Sequence, residues 1–325
     1  MRVFENANYP FHQWRGRAYF VFATLVVIGI AGMVRNVVVD GSWLAYGVDF
    51  TGGTRVQVEF SEPVTAEAVR ASVESAGYDD WEISSFGGPT AYVLRMGGFE
   101  QSAEDDARSR VTEALSPGFD EGDYEIMSTG AIGPKVADEL QQRALMAILL
   151  SFLATLVYLA FRFEWRFGLA AVLATMVDVL VSLGYLAVTR TEISMGTIAA
   201  LLTIVGYSLN DNIVVFDRIR ENLVRPPPGE SYSSILNRSI NETLSRTALT
   251  GGGVLATLTS LYFLGGPVIQ DFALVLILGI VIGTFSSIFV ASPLLYEIEK
   301  RSPKFGIRKA KGGSGGSSRK KTATV

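Results

Sequence analysis

Two carboxylates stand inside long apolar runs. Asp211 lies in "GYSLNDNIVVFDRIREN" (Gly206–Asn222), five residues before Phe216, and Asp178 lies in "TMVDVLVSLG". An aspartate at the centre of a membrane helix costs about 2.5–3.5 kcal/mol, less toward the interface. A group placed there binds and releases a proton, or serves as hydrogen-bonding glue worth about 0.6–2 kcal/mol per bond. Asp211 ends a polar stripe: Thr203, Tyr207 and Asp211 recur at i, i+4 and i+8 and share one helix face. Ser208 and Asn210 stand beside it, Asn212 follows, and Gly206 leaves room for another backbone. Such a face lines a seam between helices or a wet cavity, not lipid. Arg246, in "NRSINETLSRTALTGGG" (Asn237–Gly253), opens a later apolar run near the same membrane side as Asp211. Its long side chain can snorkel either way, so it is a partner for Asp211 or an anchor on the basic side of the membrane. Asp178 reads equally as a protonated structural carboxyl or as a relay member.

Other chemistry is largely excluded. The chain has no cysteine and one histidine, His12, so thiolate metal sites, histidine triads and multi-histidine metal sites are ruled out. No Walker motif or nucleophile with a base is present, so enzymatic hydrolysis is not expected. "GVDFTGGT" (Gly47–Thr54) places Gly47, Asp49, Gly52 and Gly53 together, but no Lys-Ser/Thr follows and no helix is expected to open there. A tight turn feeding a strand is the expectation. "FDRIREN" (Phe216–Asn222) reads as a charged helix end, with Asp217 spaced for Arg220 or Glu221. The sequons at Asn237 and Asn241 fall on the inner side and are set aside.

The elements that must position these residues are membrane spans. Of 325 residues, 49% are hydrophobic and 18% charged, with a mean hydropathy of +0.31, and the apolar residues are bunched. Windows long enough for about 30 Å of hydrocarbon, roughly 20 residues, occur at Ala18–Val39, Ala144–Phe161, Phe167–Val188, Ser194–Phe216, Ala248–Leu264 and Phe272–Leu295. The first outlasts a signal-peptide core and lacks a small-x-small site, so it reads as an uncleaved anchor. Basic residues set the orientation. Arg15 and Arg17 precede span one, Arg162 and Arg166 fill the next inner turn, and Arg218, Arg220, Arg225, Arg238 and Arg246 separate spans four and five. Many more follow Lys300, whereas the outer short loops hold only Arg190. Both termini are therefore expected in the cytoplasm of a multi-pass inner-membrane protein. The division predicted is a cytoplasmic amino terminus at 1–17, a first span at 18–39, an outer domain at 40–139, spans two to six at 140–297 with an inner loop at 217–246, and a basic tail at 298–325.

The outer segment carries 20 acidic and 6 basic residues, opposite in sign to the rest of the chain. Its pattern is readable. "TRVQVEF" (Thr54–Phe60) alternates as a strand, and "TAEAVRASVESAG" (Thr65–Gly77) is a threonine-capped amphipathic helix. "WEISSF" (Trp81–Phe86) and "AYVLRM" (Ala91–Met96) form a hairpin, "SAEDDARSRVTEAL" (Ser102–Leu115) a second helix and "YEIMST" (Tyr124–Thr129) a last strand. The order βαββαβ is ferredoxin-like α+β. No internal repeat is visible, and another chain is free to supply the second half of a repeated architecture. The tail "KAKGGSGGSSRKKTATV" is glycine-rich, serine-rich and basic, the composition of a solvated segment.

At "GVDFTGG", "GYSLNDNIVVFDRIREN" and "NRSINETLSRT" the chain resembles the SecF branch of the SecD/SecF family, within the RND superfamily, over roughly Arg15 to Lys304. The resemblance implies an RND-like half of six helices that pairs with SecD as a heterodimer. It implies association with the SecYEG channel, YajC and YidC, and contact with unfolded preprotein on the outer side after SecA has driven it in. It further implies that the proton-motive force is used, with protons as the coupling ion and no metal, organic cofactor or nucleic acid. The family's proton-linked aspartate falls on Asp211, its motif arginine on Arg246, and the aspartate of "TMVDVLVSLG" on Asp178. Two other classes compete: a proton-coupled RND exporter half for small molecules, which calls for a larger outer domain and two six-span halves, and a non-transporting assembly scaffold.

Overall fold

The computed structural model describes residues 4, 7–79, 81–85, 88–96, 103–224 and 226–301. The predicted tail beyond 301, the strand edge at Phe86, the helix start at Ser102, and Arg225 lie outside the described residues. The helices are α1 (Arg15–Asp40), the single turn α2 (Val48–Thr51), α3 (Ala66–Ser75), α4 (Ala103–Leu115), α5 (Pro134–Arg162), α6 (Trp165–Thr189), α7 (Met195–Val224), α8 (Tyr232–Leu264), α9 (Pro267–Ser286) and α10 (Ser292–Arg301). A π-helical turn, Ser287–Ala291, joins the last two. Six stretches are long and apolar enough to cross a membrane, in the places the apolar windows predict, and the protein is a multi-pass membrane protein.

Several helices outrun the apolar windows because their ends stay hydrogen-bonded beyond hydrocarbon depth. α8 runs 33 residues without a break, and the Ser231 hydroxyl caps its start by accepting from the Ser234 N–H at 3.2 Å. The inner loop expected at 217–246 is therefore mostly helix, belonging to the ends of α7 and α8. There Asp217 pairs with Arg162 of α5 at 3.7 Å rather than along its own helix, while Arg218 takes both Glu221 and Glu242 at 2.6 Å.

The outer domain is a four-stranded antiparallel sheet of β1 (Gly53–Phe60), β2 (Glu82–Ser85), β3 (Ala91–Met96) and β4 (Tyr124–Ile132), in the spatial order β2-β3-β1-β4. With α3 and α4 the succession is the expected βαββαβ. Val56 stands opposite Leu94 and Thr129, and Val56, Phe60, Val69, Val73, Leu94, Val111 and Leu115 are buried together against the two helices. The last strand continues three residues past its predicted end, carrying the sheet down to the start of α5.

Within the membrane, α6, the last span and α7 are the most buried, and α1, α5 and α8 carry the lipid-facing apolar side chains, such as Phe20, Leu149, Phe161 and Phe263. α1 reaches α6 through a glycine pair: a Cβ on Gly29 would stand 2.6 Å from the Gly184 Cα. No side chain larger than hydrogen fits there, and without a hydrophobic drive between helices this close van der Waals approach is what holds them. Asn36 adds a buried hydrogen bond from its side-chain amide to the Ala187 carbonyl at 2.8 Å. Gly184→Leu is expected to separate the two helices, with an overpacking cost of about 1–3 kcal/mol, read as a lowered unfolding midpoint in detergent and as protease sensitivity of α1.

Candidate functional site

The site forms where α6, α7, α8 and α9 meet. Small residues make it possible. Gly279 and Gly283 lie one turn apart on α9; a Cβ on Gly279 would collide with the Ile204 side chain, and one on Gly283 would lie 3.2 Å from the Ser208 Cβ. The two helices therefore approach at backbone distance over the stretch that carries the acids. Immediately beyond, the chain loosens into the Ser287–Ala291 π turn, a deviation that frequently marks functional positions.

Asp178, Ser208, Asp211 and Asn212 are each no more than 1% exposed. The Ser208 hydroxyl donates to Asp178 Oδ2 at 2.5 Å, and the Ser286 hydroxyl is also within reach of that carboxylate. Asp211 lies one turn further along α7, and the Thr284 hydroxyl donates to its Oδ2 at 3.3 Å. Tyr207, another turn back, turns its hydroxyl toward Thr250 of α8 and Thr284 of α9. Both carboxylates are thus met by hydroxyls of neighbouring helices and by no cation among the described residues. Asp178 Oδ1, both amide atoms of Asn212 and the Thr247 hydroxyl are buried without a protein partner. A buried polar atom in that state costs about 1–3 kcal/mol, which a non-functional helix seam would avoid by carrying apolar side chains.

The polar stripe read from spacing divides in two. Tyr207, Ser208, Asp211 and Asn212 enter the seam, whereas Thr203 and Asn210 are exposed on a flank of α7. Eight residues at about 100° each place Thr203 about 80° around the helix from Asp211, enough to leave the seam. The Thr203 hydroxyl returns to its own backbone at Ala199, 2.8 Å away. Arg246 is a second departure. It is exposed and makes no ion pair among the described residues, so the Asp211–Arg246 pair does not form in this structure. The reason is helical phase: around Arg246 the buried residues of α8 are Thr243, Thr247 and Gly251, and Arg246 lies about 100° from Thr247.

The glycine motif near α1 acquires a definite role. A helical turn, α2, does open after Gly47, contrary to the expectation from sequence. Asp49 on that turn accepts from the backbone N–H of Met195, the first residue of α7, at 2.7 Å, placing a carboxylate at a helix N-terminus. Tyr46 and Ile193 form a one-residue parallel bridge, with Gly47 N–H donating to the Ile193 carbonyl at 2.9 Å and Ile193 N–H to the Ala45 carbonyl at 2.7 Å. Gly52 and Gly53 have φ of 74° and 113°, and a Cβ on Gly53 would stand 2.9 Å from the Met96 carbonyl, so the turn into β1 demands glycine. Sequence reasoning passed over Thr284, Ser286 and Thr250; the Gly279-x-x-x-Gly283 spacing in the last span, followed directly by Thr284, was the signal that pointed to them.

Comparison with known proteins identifies the family. The family description "Protein export membrane protein SecD/SecF, C-terminal" matches residues 111–301, and "SecD/SecF GG Motif" matches residues 42–64. The chain is 43% identical over 309 residues to the protein translocase subunit SecF of Gemmatimonas aurantiaca, covering 94% of this chain and 91% of that one. It is 39% identical over 313 residues to the SecF of Rhodothermus marinus, covering 93% and 97%. A crystal structure of SecDF, a translocon-associated membrane protein from Thermus thermophilus, superposes with a TM-score of 0.78 at 34% identity. That match takes in 93% of this chain but only 40% of the SecDF chain, so this protein corresponds to less than half of it. The chain belongs to the SecD/SecF family, in its SecF branch.

Proposed function

We propose that the protein is the SecF subunit of a Sec protein-export assembly and that, with SecD, it uses the proton-motive force to promote late steps of preprotein translocation through the protonatable Asp211. The observation that carries this reading is a carboxylate buried between α7 and α9 beside the Thr284 hydroxyl, with a second carboxylate, Asp178 of α6, bonded to Ser208 one turn before Asp211 on α7. Taking a proton removes the charge of Asp211 and releasing it restores that charge. The charged state asks for water or a cation, and Arg246, on the neighbouring exposed face of α8, is the cation nearest in sequence to the buried Thr247. One proton crossing 100 mV supplies about 2.3 kcal/mol, enough to bias a two-state helix arrangement about 50-fold.

A partner bundle fits the same picture. Gly206 on α7 and Gly252 and Gly253 on α8 meet nothing within 4 Å, and Thr203 and Asn210 are exposed beside Gly206. A small and polar face of this kind in the membrane suits close packing by helices of another chain, and SecD is the partner proposed. The basic inner loops support a cytoplasmic position for both termini. The acidic outer domain then faces the compartment where unfolded preprotein emerges. Association with SecYEG, YajC and YidC follows from the family alone and belongs to the same proposal.

In proteoliposomes containing SecD and this chain, Asp211→Asn is expected to abolish proton flux and the gradient-dependent part of export, a loss of up to about 50-fold, while leaving assembly intact; unchanged flux and export would overturn the assignment and leave the scaffold reading. Thr284→Val removes the hydroxyl on Asp211 and is expected to reduce flux about tenfold, from the roughly 1.5–3 kcal/mol that a hydrogen bond to a charged group contributes. Asp178→Asn, which keeps an acceptor for Ser208, is expected to retain more flux than Asp211→Asn and to shift its pH profile.

A further inference from the structure

Glu192 lies in the five-residue connection between α6 and α7, on the outer side, where neither the family resemblance nor the proton site assigns a role. It is 12% exposed at its side chain and is surrounded by the outer domain. Arg95 of β3 hydrogen-bonds and ion-pairs with Glu192 Oε2, and Arg55 of β1 approaches Oε1 at 3.8 Å. Arg95 also holds Glu82 of β2 at 2.9 Å, so the contact draws on three strands of the sheet. Gly47 completes the seat: a Cβ there would collide with the Glu192 carboxylate.

This cluster also touches α9. A small cavity of about 50 Å³ is lined by Arg55, Gln57, Glu192, Ser194 and, at the outer end of α9, Asp271 and Phe272. Gln57 Nε2 and Arg95 Nε are buried at its edge without a hydrogen-bond partner. α7 begins three residues after Glu192 and carries Asp211; α9 carries Thr284, which binds Asp211. The contact is therefore seated on the outward ends of the two helices that enclose the proton site. Burial lowers the Arg95 guanidinium, but Glu192 and then Glu82 outweigh it and hold it above its ordinary value, so the arginine stays charged throughout the physiological range. The Arg95–Glu192 pair is a permanently charged joint.

We propose that Glu192 is a positioning residue that clamps the outer βαββαβ domain onto the outward ends of α7 and α9, so that this domain and the helices bearing Asp211 and Thr284 move as one body. The geometric half stands by itself; its consequence for export rests on the reading of Asp211 given above. A freely hinged outer domain would absorb a helix shift, whereas a clamped one carries it outward.

The experiment has two arms. The chain is free of cysteine, so spin labels at Arg70→Cys on α3 and Thr189→Cys at the outer end of α6 report one distance in the purified full-length protein. The clamp predicts one narrow peak, lost in Glu192→Gln and in Gly47→Ala. In the second arm, Tyr46→Cys and Ile193→Cys are paired across the one-residue parallel bridge, to be closed as a disulfide. With SecD present, Glu192→Gln is expected to lower gradient-dependent export about fivefold or more, and the closed disulfide to restore it until it is reduced. A variant that had merely misfolded would not be rescued by one added bond. An unchanged peak in both Glu192→Gln and Gly47→Ala overturns the clamp, as does export blocked by the disulfide in an otherwise native chain. Loss of the peak together with normal export in Asp211→Asn would keep the clamp and remove the proton reading instead.

Discussion

A carboxylate inside a bilayer persists only where neighbouring helices come close enough to replace water with hydroxyls, and in this protein that closeness is set by the packing of Gly279 and Gly283 of α9 against Ile204 and Ser208 of α7. Between lipid-embedded helices there is no hydrophobic drive to association, so van der Waals contact at glycine distance must supply it. Larger residues at those two positions would hold α9 away, and Thr284 could not reach Asp211. The same requirement explains why α6 and α7 occupy the centre. Asp178 of α6 needs Ser208 of α7 as Asp211 needs Thr284 of α9, while α1 packs on another part of α6 through Gly29 and Gly184.

The seam is connected to the outside by short, stiff links. From Met195 to Asp211, α7 is an unbroken helix, roughly 24 Å at 1.5 Å per residue. Its first N–H is held by Asp49, and the residues just before it are paired with Tyr46 and Gly47. Gln141 of α5 also reaches this turn, donating to the Phe50 carbonyl at 2.6 Å. The glycine motif thus works as a corner piece: it turns the chain from α1 into the sheet and fastens that turn to the start of α7. Both uses need glycine, one for positive φ and one for room beside Glu192.

Seen from the membrane plane, the bundle is unevenly finished. Gly206 of α7 and Gly252 and Gly253 of α8 each face open space, and Thr203 and Asn210 near Gly206 are exposed. Thr203 and Asn210 sit on that open side because helix phase carries them away from Asp211. Arg246 is exposed beside the buried Thr247 of α8. An assembly whose halves meet there brings this arginine and the partner's helices to bear on one wall of the proton site, which is the arrangement proposed for a SecD–SecF pair.

Local chemistry settled much of this in advance. The number of spans follows from apolar windows that must cover a fixed hydrocarbon thickness, and the outer βαββαβ order follows from alternation and caps at positions such as Thr65. Asp178 and Asp211 were marked by the cost of placing a charge in lipid, a property of residue type and position that needs no coordinates. What tertiary structure alone decided is which neighbours each of them has. Thr284 lies 73 residues from Asp211, and Glu192 lies 97 residues from Arg95; no periodicity links such pairs. Tyr207 and Thr203 share a stripe on paper, yet a helix turning about 100° per residue admits one to the seam and leaves the other outside. Spacing along the chain fixes angles within one helix, whereas the facing of Arg246 away from Asp211 depends on how α8 is rotated against α7, and that rotation is set by the packing of Thr243, Thr247 and Gly251.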